Sequence, residues 1–164
     1  MVQYTAAVIT ASDKGSRGER EDVSGKVLCE LLENEGFIIK DYCILPDERD
    51  VLAAKMRELC DEKEVTLILT TGGTGFSPRD ITPEATKDVV ERETPGIPEA
   101  MRLASLKITP KAMLSRAFAG IRKRTLIINM PGSPKAVKES FEAIVGPLGH
   151  GLDIMTANDS ECAR

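Results

Sequence analysis

A short apolar run at residues 65–69, Val-Thr-Leu-Ile-Leu, leads directly into a glycine-rich loop, and this pairing limits the folds open to the chain. A continuous apolar run of this length is typical of a parallel strand that is buried on both faces. The loop at residues 70–83 reads Thr-Thr-Gly-Gly-Thr-Gly-Phe-Ser-Pro-Arg-Asp-Ile-Thr-Pro. We therefore expect a buried strand to deliver this loop to one edge of a sheet.

The loop is suited to binding phosphate. Its glycines leave the backbone uncovered, so that successive N–H groups can turn toward an anion. The residues that would form this site are Thr71, Gly72, Gly73, Thr74, Gly75 and Ser77. Asp80 would repel a phosphate there unless a cation lay between them, which makes it a candidate metal ligand. From the loop alone, an ordinary strand-to-helix connection whose polar residues only cap the next helix is an equal alternative.

Two common phosphate-binding motifs are excluded at this loop. Residues 73–78 have proline where the dinucleotide-binding fingerprint needs its third glycine. No Gly-Lys-Ser/Thr follows the glycines, so the loop is not a Walker P-loop either.

Strands and helices alternate along the rest of the sequence. Apolar runs predict strands at 4–10, 37–45, 65–71, 118–121 and 125–129. Helical spacing predicts helices at 23–35, 46–59, 83–92, 96–106, 134–145 and 148–155. This order implies an α/β three-layer sandwich, with a mostly parallel sheet, one antiparallel strand at 118–121 and helices on both faces. The 164 residues are expected to form a single domain, 1–164.

Several polar residues stand where helices are expected to begin. Thr82-Pro83 and Ser133-Pro134 each combine an N-cap residue with a proline in the first turn. Asp47 lies between a strand and a helix, and its local context favours a capping role over a catalytic one. Residues 11–18 have the composition of a mobile surface loop.

The parallel sheet gives Asp47 a second interpretation. The loops after Thr10, Leu45, Thr71 and Ile128 would all leave the carboxyl edge, where ligands bind at a switch in strand order. Asp47 and Asp80 would then share one rim beside the glycine-rich loop. Two carboxylates next to a phosphate site indicate a divalent metal ion.

Composition excludes several other functions. A net charge of −4 and a pI near 5.2 argue against general nucleic-acid binding, and an aromatic content of 4% with no Trp argues against base stacking. Cys29, Cys43, Cys60 and Cys162 are widely spaced, which predicts reduced thiols rather than a zinc site or a disulfide framework. With no leader-like segment and no apolar run of membrane length, we expect a cytoplasmic protein that does not contact the membrane.

Positive charge is concentrated at residues 102–124. This segment has no Asp or Glu and contains Arg102, Lys107, Lys111, Arg116, Arg122, Lys123 and Arg124. Most of these side chains are expected on a solvated face, and residues 122–124 predict a hairpin turn. Only the earlier members are placed for a cleft that holds an anionic small molecule.

Three motifs follow one another closely: Thr-Gly-Gly-Thr-Gly at 71–75, Ser-Pro-Arg-Asp at 77–80 and Thr-Pro-Glu-Ala at 82–85. Together they resemble the signature of the MogA/MoaB family of molybdenum-cofactor biosynthesis proteins, to which a domain of gephyrin is related. Further matches at 11–13, 45–47, 113–116 and 129–133 extend over nearly the whole chain. CinA-type proteins share the fold and part of the glycine-rich loop.

The resemblance implies a Mg²⁺-dependent nucleotidyltransferase, molybdopterin adenylyltransferase, that forms a homotrimer. Its substrates would be ATP and molybdopterin, with no molybdate insertion by this chain. Asp47 and Asp80 match the family's catalytic carboxylates and would hold the metal. The substrate-binding positions implied are Thr10, Ser12, Asp13, Gly72, Gly73, Thr74, Gly75, Ser77, Ser115, Asn129, Pro131, Gly132 and Ser133.

The chemistry of this reaction suits the residues present. A phosphate monoester is mostly ionised at neutral pH, so its attack on ATP needs no general base, and the chain has a single histidine, His150. Two alternatives stay open: a molybdopterin-binding or delivery protein without catalysis, and an oligomeric scaffold of the kind that gephyrin forms.

Overall fold

The computed structural model describes residues 2–157, which form a six-stranded sheet in the order β2-β1-β3-β6-β5-β4. The strands are β1 Thr5–Ala11, β2 Ile38–Leu45, β3 Leu67–Thr71, β4 Arg92–Glu93, β5 Ala119–Arg122 and β6 Thr125–Met130. Strands β1, β2, β3 and β6 run parallel, whereas β5 is antiparallel to both of its neighbours. The predicted mostly parallel sheet and its antiparallel member are therefore confirmed.

Helices cover both faces of the sheet. They are α1 Asp13–Ser16, α2 Val23–Asn34, α3 Arg49–Asp61, α4 Thr82–Lys87, α5 Gly96–Leu106 and α6 Pro134–Met155, with a 3₁₀ turn at Pro110–Leu114. One apolar core joins the sheet to α2, α5 and α6 through residues such as Leu28, Met101 and Phe141. The other joins it to α3 and α4 through Leu52 and Ala85. The two cores confirm the three-layer sandwich.

The structure differs from the predictions at two helical regions, because of sheet or core contacts, and at one predicted loop. The helix predicted at 83–92 ends at Lys87, because the chain turns so that Glu91 N donates to Ile121 O at 2.9 Å and β4 can pair with β5. The two helices predicted at 134–145 and 148–155 are one helix, α6, with Pro147 inside it. Buried Leu148 and Leu152 continue its apolar stripe across the proline. Residues 13–16 form helix α1 within the predicted loop.

Two of the capping predictions are wrong, and one is right. Ser133 caps α6 as predicted, accepting a hydrogen bond from Ala136 N at 3.2 Å. Thr82 is instead the first residue of α4, and Ile81 is its N-cap. Asp47 does not cap α3, since Glu48 holds that position. Thr82 and Asp47 both lie at the carboxyl edge of the sheet, where they form hydrogen bonds with Gly73 and Asp13 instead.

Strand order reverses between β1 and β3, because β2 lies on one side of β1 and β3 on the other. Ligand sites in open α/β sheets lie at such a reversal. The loops that follow β1 and β3 therefore meet where a crevice is expected. No helix within residues 2–157 combines the length and apolarity that a membrane crossing requires.

Candidate active site at the carboxyl edge

A cavity of about 590 Å³ lies over the ends of β1 and β3. Five chain segments bound it: the end of β1, the start of α2, the loop that carries Asp47, the loop that carries Asp80, and the start of α6. Its lining residues include Thr10, Ser12, Arg20, Asp22, Ser24, Asp47, Gly72, Gly73, Asp80, Gly132 and Ser133. The structure thus brings together eight of the residues predicted to be catalytic or to bind substrate, from the loops that follow β1, β2, β3 and β6.

Gly72 and Gly73 adopt backbone conformations that favour glycine, with φ of +93° and +69°. A Cβ on Gly72 would stand 2.5 Å from the Ala11 carbonyl oxygen, so this part of the loop packs directly against β1. A Cβ on Gly73 would collide with Thr82 Oγ1 and stand 3.2 Å from Asp47 Oδ1. The loop therefore lines the cavity with backbone, in a shape that side chains would prevent.

Two hydroxyl groups tie the neighbouring loops together. Thr71 Oγ1 donates to the Pro131 carbonyl oxygen at 2.7 Å, which joins the loop after β3 to the loop after β6. Ser24 Oγ donates to the Gly132 carbonyl oxygen at 2.6 Å, which joins α2 to the same β6 loop. These contacts fix the relative positions of three walls of the cavity.

The Asp80 carboxylate shapes its own loop. Its Oδ2 accepts hydrogen bonds from Gly75 N and Ser77 N, both at 3.1 Å. From behind, Arg116 donates to the Gly75 and Asp80 carbonyl oxygens at 2.8 and 2.7 Å and also contacts Glu84. Arg116 therefore braces the loop that carries Asp80, a structural use that the sequence did not indicate.

Asp47 and Asp13 form a reciprocal pair. Asp13 N donates to Asp47 Oδ2, and Asp47 N donates to Asp13 Oδ1, each at 3.0 Å. Arg79 then binds both oxygens of Asp13, at 2.9 and 3.0 Å. Three loops are thereby joined, and Asp47 is held at the rim by backbone contacts.

The pKa values of the two carboxyl groups in this pair are shifted in opposite directions. Burial raises the pKa of Asp47, and the nearby charges of Asp13 and Asp80 act in the same sense. The hydrogen bond from Arg79 lowers the pKa of Asp13, and the bond from Asp47 N adds to that effect. The surroundings of Asp47 thus disfavour the charged form of its carboxyl group.

The raised pKa predicts that Asp47→Asn stabilises the protein at neutral pH. When an acid has a higher pKa in the folded state, its stabilising contribution is complete below its unfolded pKa, near 3.8, and is lost as pH rises through the folded value. Asparagine can still accept from Asp13 N but carries no charge.

We expect the melting temperature of Asp47→Asn to exceed that of the wild type at pH 7, by a margin that shrinks as pH falls toward 4. Thermal denaturation across this pH range measures it. Glu30→Gln, on the exposed face of α2, is the control for removal of a carboxylate. A lower melting temperature for Asp47→Asn at pH 7 would contradict the electrostatic account of Asp47.

Not all of the predicted substrate-binding residues line this cavity. Ser115 and Pro131 line a second cavity of about 230 Å³, together with Arg102 and Lys111 from the basic segment. Asn129 is fully buried and bonds to Thr70, Thr86 and Phe118 N, so its amide is used inside the fold. Of the others, Thr74 is buried, Asp13 pairs with Asp47, and Gly75 and Ser77 bond to Asp80. Their roles toward substrate stay predictions.

Other residues of the cavity carried no clear signal in the sequence. Arg20, Glu21 and Ser24 line it from the start of α2, which sequence patterns identified only as a helix beginning. Asp22 lines it as well; it caps α2 by accepting from Gly25 N at 3.0 Å and also accepts from Thr10 Oγ1 at 2.6 Å. Only the crossover between β1 and β2 brings this segment to the rim.

The remaining sequence predictions concern thiols and the hairpin. Cys29, Cys43 and Cys60 are free thiols, whereas Cys162 lies outside the described residues. Burial raises the pKa of these three thiols to about 11, which makes them poor nucleophiles. The hairpin joins β5 to β6 as predicted, with Arg122 bound to Asp61 at 2.8 and 3.0 Å.

A family model and individual relatives place the chain in the same protein family. Residues 7–150 match the model of a family described as a probable molybdopterin-binding domain. A relative from Helicobacter pylori strain J99, named molybdopterin adenylyltransferase, is 44% identical over 92% of this chain and 87% of its own length. Its Escherichia coli K12 namesake is 41% identical over 88% of this chain and 77% of its own.

The fold comparison agrees with the sequence comparison. The crystal structure of the Thermus thermophilus molybdopterin biosynthesis enzyme MoaB superposes with a TM-score of 0.90 at 46% identity. The superposition covers 94% of this chain and 98% of that one. The fold of this chain is therefore shared with that molybdopterin biosynthesis enzyme.

Proposed function

The chain belongs to the family of probable molybdopterin-binding domains, and from that membership we propose that it is a molybdopterin adenylyltransferase. Such an enzyme transfers AMP from ATP to the terminal phosphate of molybdopterin and releases pyrophosphate, a step of molybdenum-cofactor biosynthesis. The observation that carries the proposal is the cavity itself. It sets the Gly72-Gly73 backbone beside two carboxylates, in a chain that resembles enzymes of this name over most of their length.

The protein forms no covalent bond to either substrate in this transfer. The terminal phosphate of molybdopterin, with a second pKa of about 6, is largely a dianion at neutral pH. One of its oxygens bonds to the α-phosphorus of ATP, while the bond from that phosphorus to the β-phosphate oxygen breaks and pyrophosphate leaves. The protein therefore works by positioning the two substrates and balancing their charge.

We propose that the cation is Mg²⁺ and that Asp47 and Asp80 hold it. Each of these carboxylates has one oxygen fixed by backbone N–H groups, and within residues 2–157 the second oxygen, Oδ1, accepts no hydrogen bond. The described residues contain no cluster of three or more His, Cys, Asp or Glu that could hold a metal. Two carboxylates are nevertheless the usual protein share for Mg²⁺, which takes its other oxygens from water and substrate phosphates.

The donor set thus fits a hard cation that binds together with a phosphorylated substrate. When bound, Mg²⁺ would neutralise charge on the phosphate oxygens. The chain's own contribution is to hold the two carboxylates at fixed positions, through Asp13 N for Asp47 and through Gly75 N and Ser77 N for Asp80. The Gly72-Gly73 segment leaves room for phosphate to approach the backbone.

Pyrophosphate release tests this proposal. Purified protein mixed with ATP, Mg²⁺ and molybdopterin should release pyrophosphate, and omission of molybdopterin should abolish the release. A protein that binds molybdopterin yet releases no pyrophosphate would be a binding or delivery protein, and the proposed function would be rejected.

We also propose that the chain assembles as a homotrimer, as the family resemblance implies. Helix α5 and the following 3₁₀ turn expose apolar side chains that a partner subunit could cover: Leu103, Leu106, Ile108, Met113 and Leu114. We expect light scattering at micromolar concentration to give three times the chain mass of 17.8 kDa. A monomer mass at that concentration would contradict the assembly.

A further inference from the structure

Arg20 is the only lysine or arginine among the described residues that line the cavity over β1 and β3. Four carboxylates line the same cavity: Glu21, Asp22, Asp47 and Asp80. The proposed substrates add further negative charge, because ATP and the terminal phosphate of molybdopterin are both anions. Binding them beside these carboxylates requires positive charge, and one Mg²⁺ ion supplies only part of it.

Three other arginines near the cavity already have partners. Arg79 binds both carboxylate oxygens of Asp13, at 2.9 and 3.0 Å. Arg116 donates to two carbonyl oxygens of the glycine-rich loop, at 2.8 and 2.7 Å. Arg17 pairs with Glu19 at 3.0 Å. These side chains hold the loops together, so they are not available to a substrate without the loss of those contacts.

Arg20, by contrast, forms no hydrogen bond or ion pair with the residues that the structure describes. The carboxylates next to it in the chain are engaged elsewhere: Glu21 binds Lys26 at 3.2 Å, and Asp22 accepts from Thr10 Oγ1 at 2.6 Å. Arg20 therefore keeps all five of its guanidinium N–H donors for a ligand. A guanidinium group suits phosphate, since it can donate two parallel hydrogen bonds to it.

The backbone is fixed on both sides of Arg20. Before it, Glu19 N donates to the Lys14 carbonyl oxygen at 2.9 Å. After it, Asp22 caps α2 by accepting from Gly25 N at 3.0 Å. Arg20 is thus held at the wall of the cavity by its backbone, while its side chain has no protein partner to leave when a ligand arrives.

We propose that Arg20 binds the β- and γ-phosphates of ATP, the part of this substrate that leaves as pyrophosphate. The inference rests on the proposed function, which sets ATP beside the carboxylates of this cavity. The β- and γ-phosphates carry most of the negative charge of ATP, so a single arginine is attracted to them most strongly. Charge also builds up on the pyrophosphate as its bond to the α-phosphorus breaks, and a cation there stabilises the transition state.

Equilibrium binding tests the role of Arg20 without the transfer reaction. We expect Arg20→Gln to weaken the binding of ATP with Mg²⁺, and of pyrophosphate with Mg²⁺, by about 10-fold, the effect of losing one hydrogen bond to a charged group. AMP affinity should be unchanged, because AMP lacks both phosphates. Arg20→Lys keeps the charge but cannot donate two parallel hydrogen bonds, so it should recover part of the loss. Calorimetry measures all three affinities.

Arg17→Gln is the matched control, because it removes the same charge from the same loop. Arg17 does not line the cavity, and its side chain is exposed where it pairs with Glu19. This variant should bind ATP and pyrophosphate as the wild type does. Arg20→Gln should melt within about 2 °C of the wild type, since the substitution breaks no hydrogen bond or ion pair of the described residues.

Several results would overturn the inference. They are wild-type affinity of Arg20→Gln for ATP and pyrophosphate, an equal loss of affinity for AMP, a loss confined to molybdopterin, and an equal loss in Arg17→Gln. A wild type that binds neither ATP nor pyrophosphate would also overturn it. The proposed function fails separately, if the wild type binds ATP and molybdopterin but releases no pyrophosphate. The affinities for ATP and pyrophosphate then still decide the role of Arg20.

Discussion

Asp80→Asn is expected to lower turnover by roughly 10²–10³-fold, the range seen when one group that stabilises a transition state is lost. The expected loss follows from charge rather than shape. Asparagine can accept the hydrogen bonds from Gly75 N and Ser77 N through its carbonyl oxygen, so the loop keeps its form. It cannot supply the negative charge that holds a divalent cation against phosphate oxygens.

The melting temperature of Asp80→Asn should fall only slightly, because hydrogen bonds to a neutral acceptor are weaker than those to a carboxylate. Molybdopterin affinity should survive, since the carboxylate acts on charge balance during transfer. The measurement is turnover across a Mg²⁺ titration, with the melting temperature and the molybdopterin affinity recorded on the same preparation. Asp88→Asn, which breaks a surface ion pair with Arg49, is the control and should keep wild-type turnover.

Either of two results would remove Asp80 from the mechanism. Wild-type turnover in the variant would show that its charge is not needed. A collapse in melting temperature would show that the carboxylate acts mainly by shaping the 75–77 backbone.

Gly73→Ala is expected to produce the largest loss of stability. Its φ of +69° costs an alanine about 1–2 kcal/mol, and the new Cβ would also run into the buried Thr82 Oγ1. Overpacking of this kind typically adds about 1–3 kcal/mol. For a domain of this size the sum lowers the melting temperature by roughly 5–15 °C. Turnover should fall as well, because relief of the clash displaces Asp47 or the loop.

Gly36→Ala separates the two contributions. Gly36 has a φ of +86°, but a Cβ there would meet nothing within 4 Å. The Gly36→Ala variant therefore measures only the free-energy cost of the positive φ. Because Gly36 is far from the cavity, turnover should be unchanged. If Gly73→Ala is no less stable than Gly36→Ala, the close packing of Gly73 against Thr82 is wrong.

The sequence predicted the fold well because periodicity and short-range signals determine it. The buried runs, the antiparallel strand and the Ser133 cap depend on residues a few positions apart, and each was confirmed. The length of α6 was missed since Pro147 is a helix-breaking signal locally. Only the core contacts of Leu148 and Leu152, which the sequence cannot display, carry the helix through it.

The candidate site was predicted in outline but not in its supporting contacts. Parallel strands dictate that Asp47 and the glycine-rich loop share an edge, so their meeting could be inferred from topology. The partners of Asp47 and Arg116 come from distant segments that no local pattern links. Local context alone favoured a cap at Asp47, and Arg116 was expected to face an anionic ligand, whereas in the structure both residues join or brace loops.

The most direct test of the proposed AMP transfer to molybdopterin is to follow the α-phosphate of ATP. ATP labelled at that position is incubated with molybdopterin, Mg²⁺ and the purified protein, and the products are separated. The account predicts label on molybdopterin in amounts equal to the pyrophosphate released, and almost none with Asp80→Asn. Label that stays in ATP, or appears only as free AMP while molybdopterin remains bound and unmodified, would contradict it.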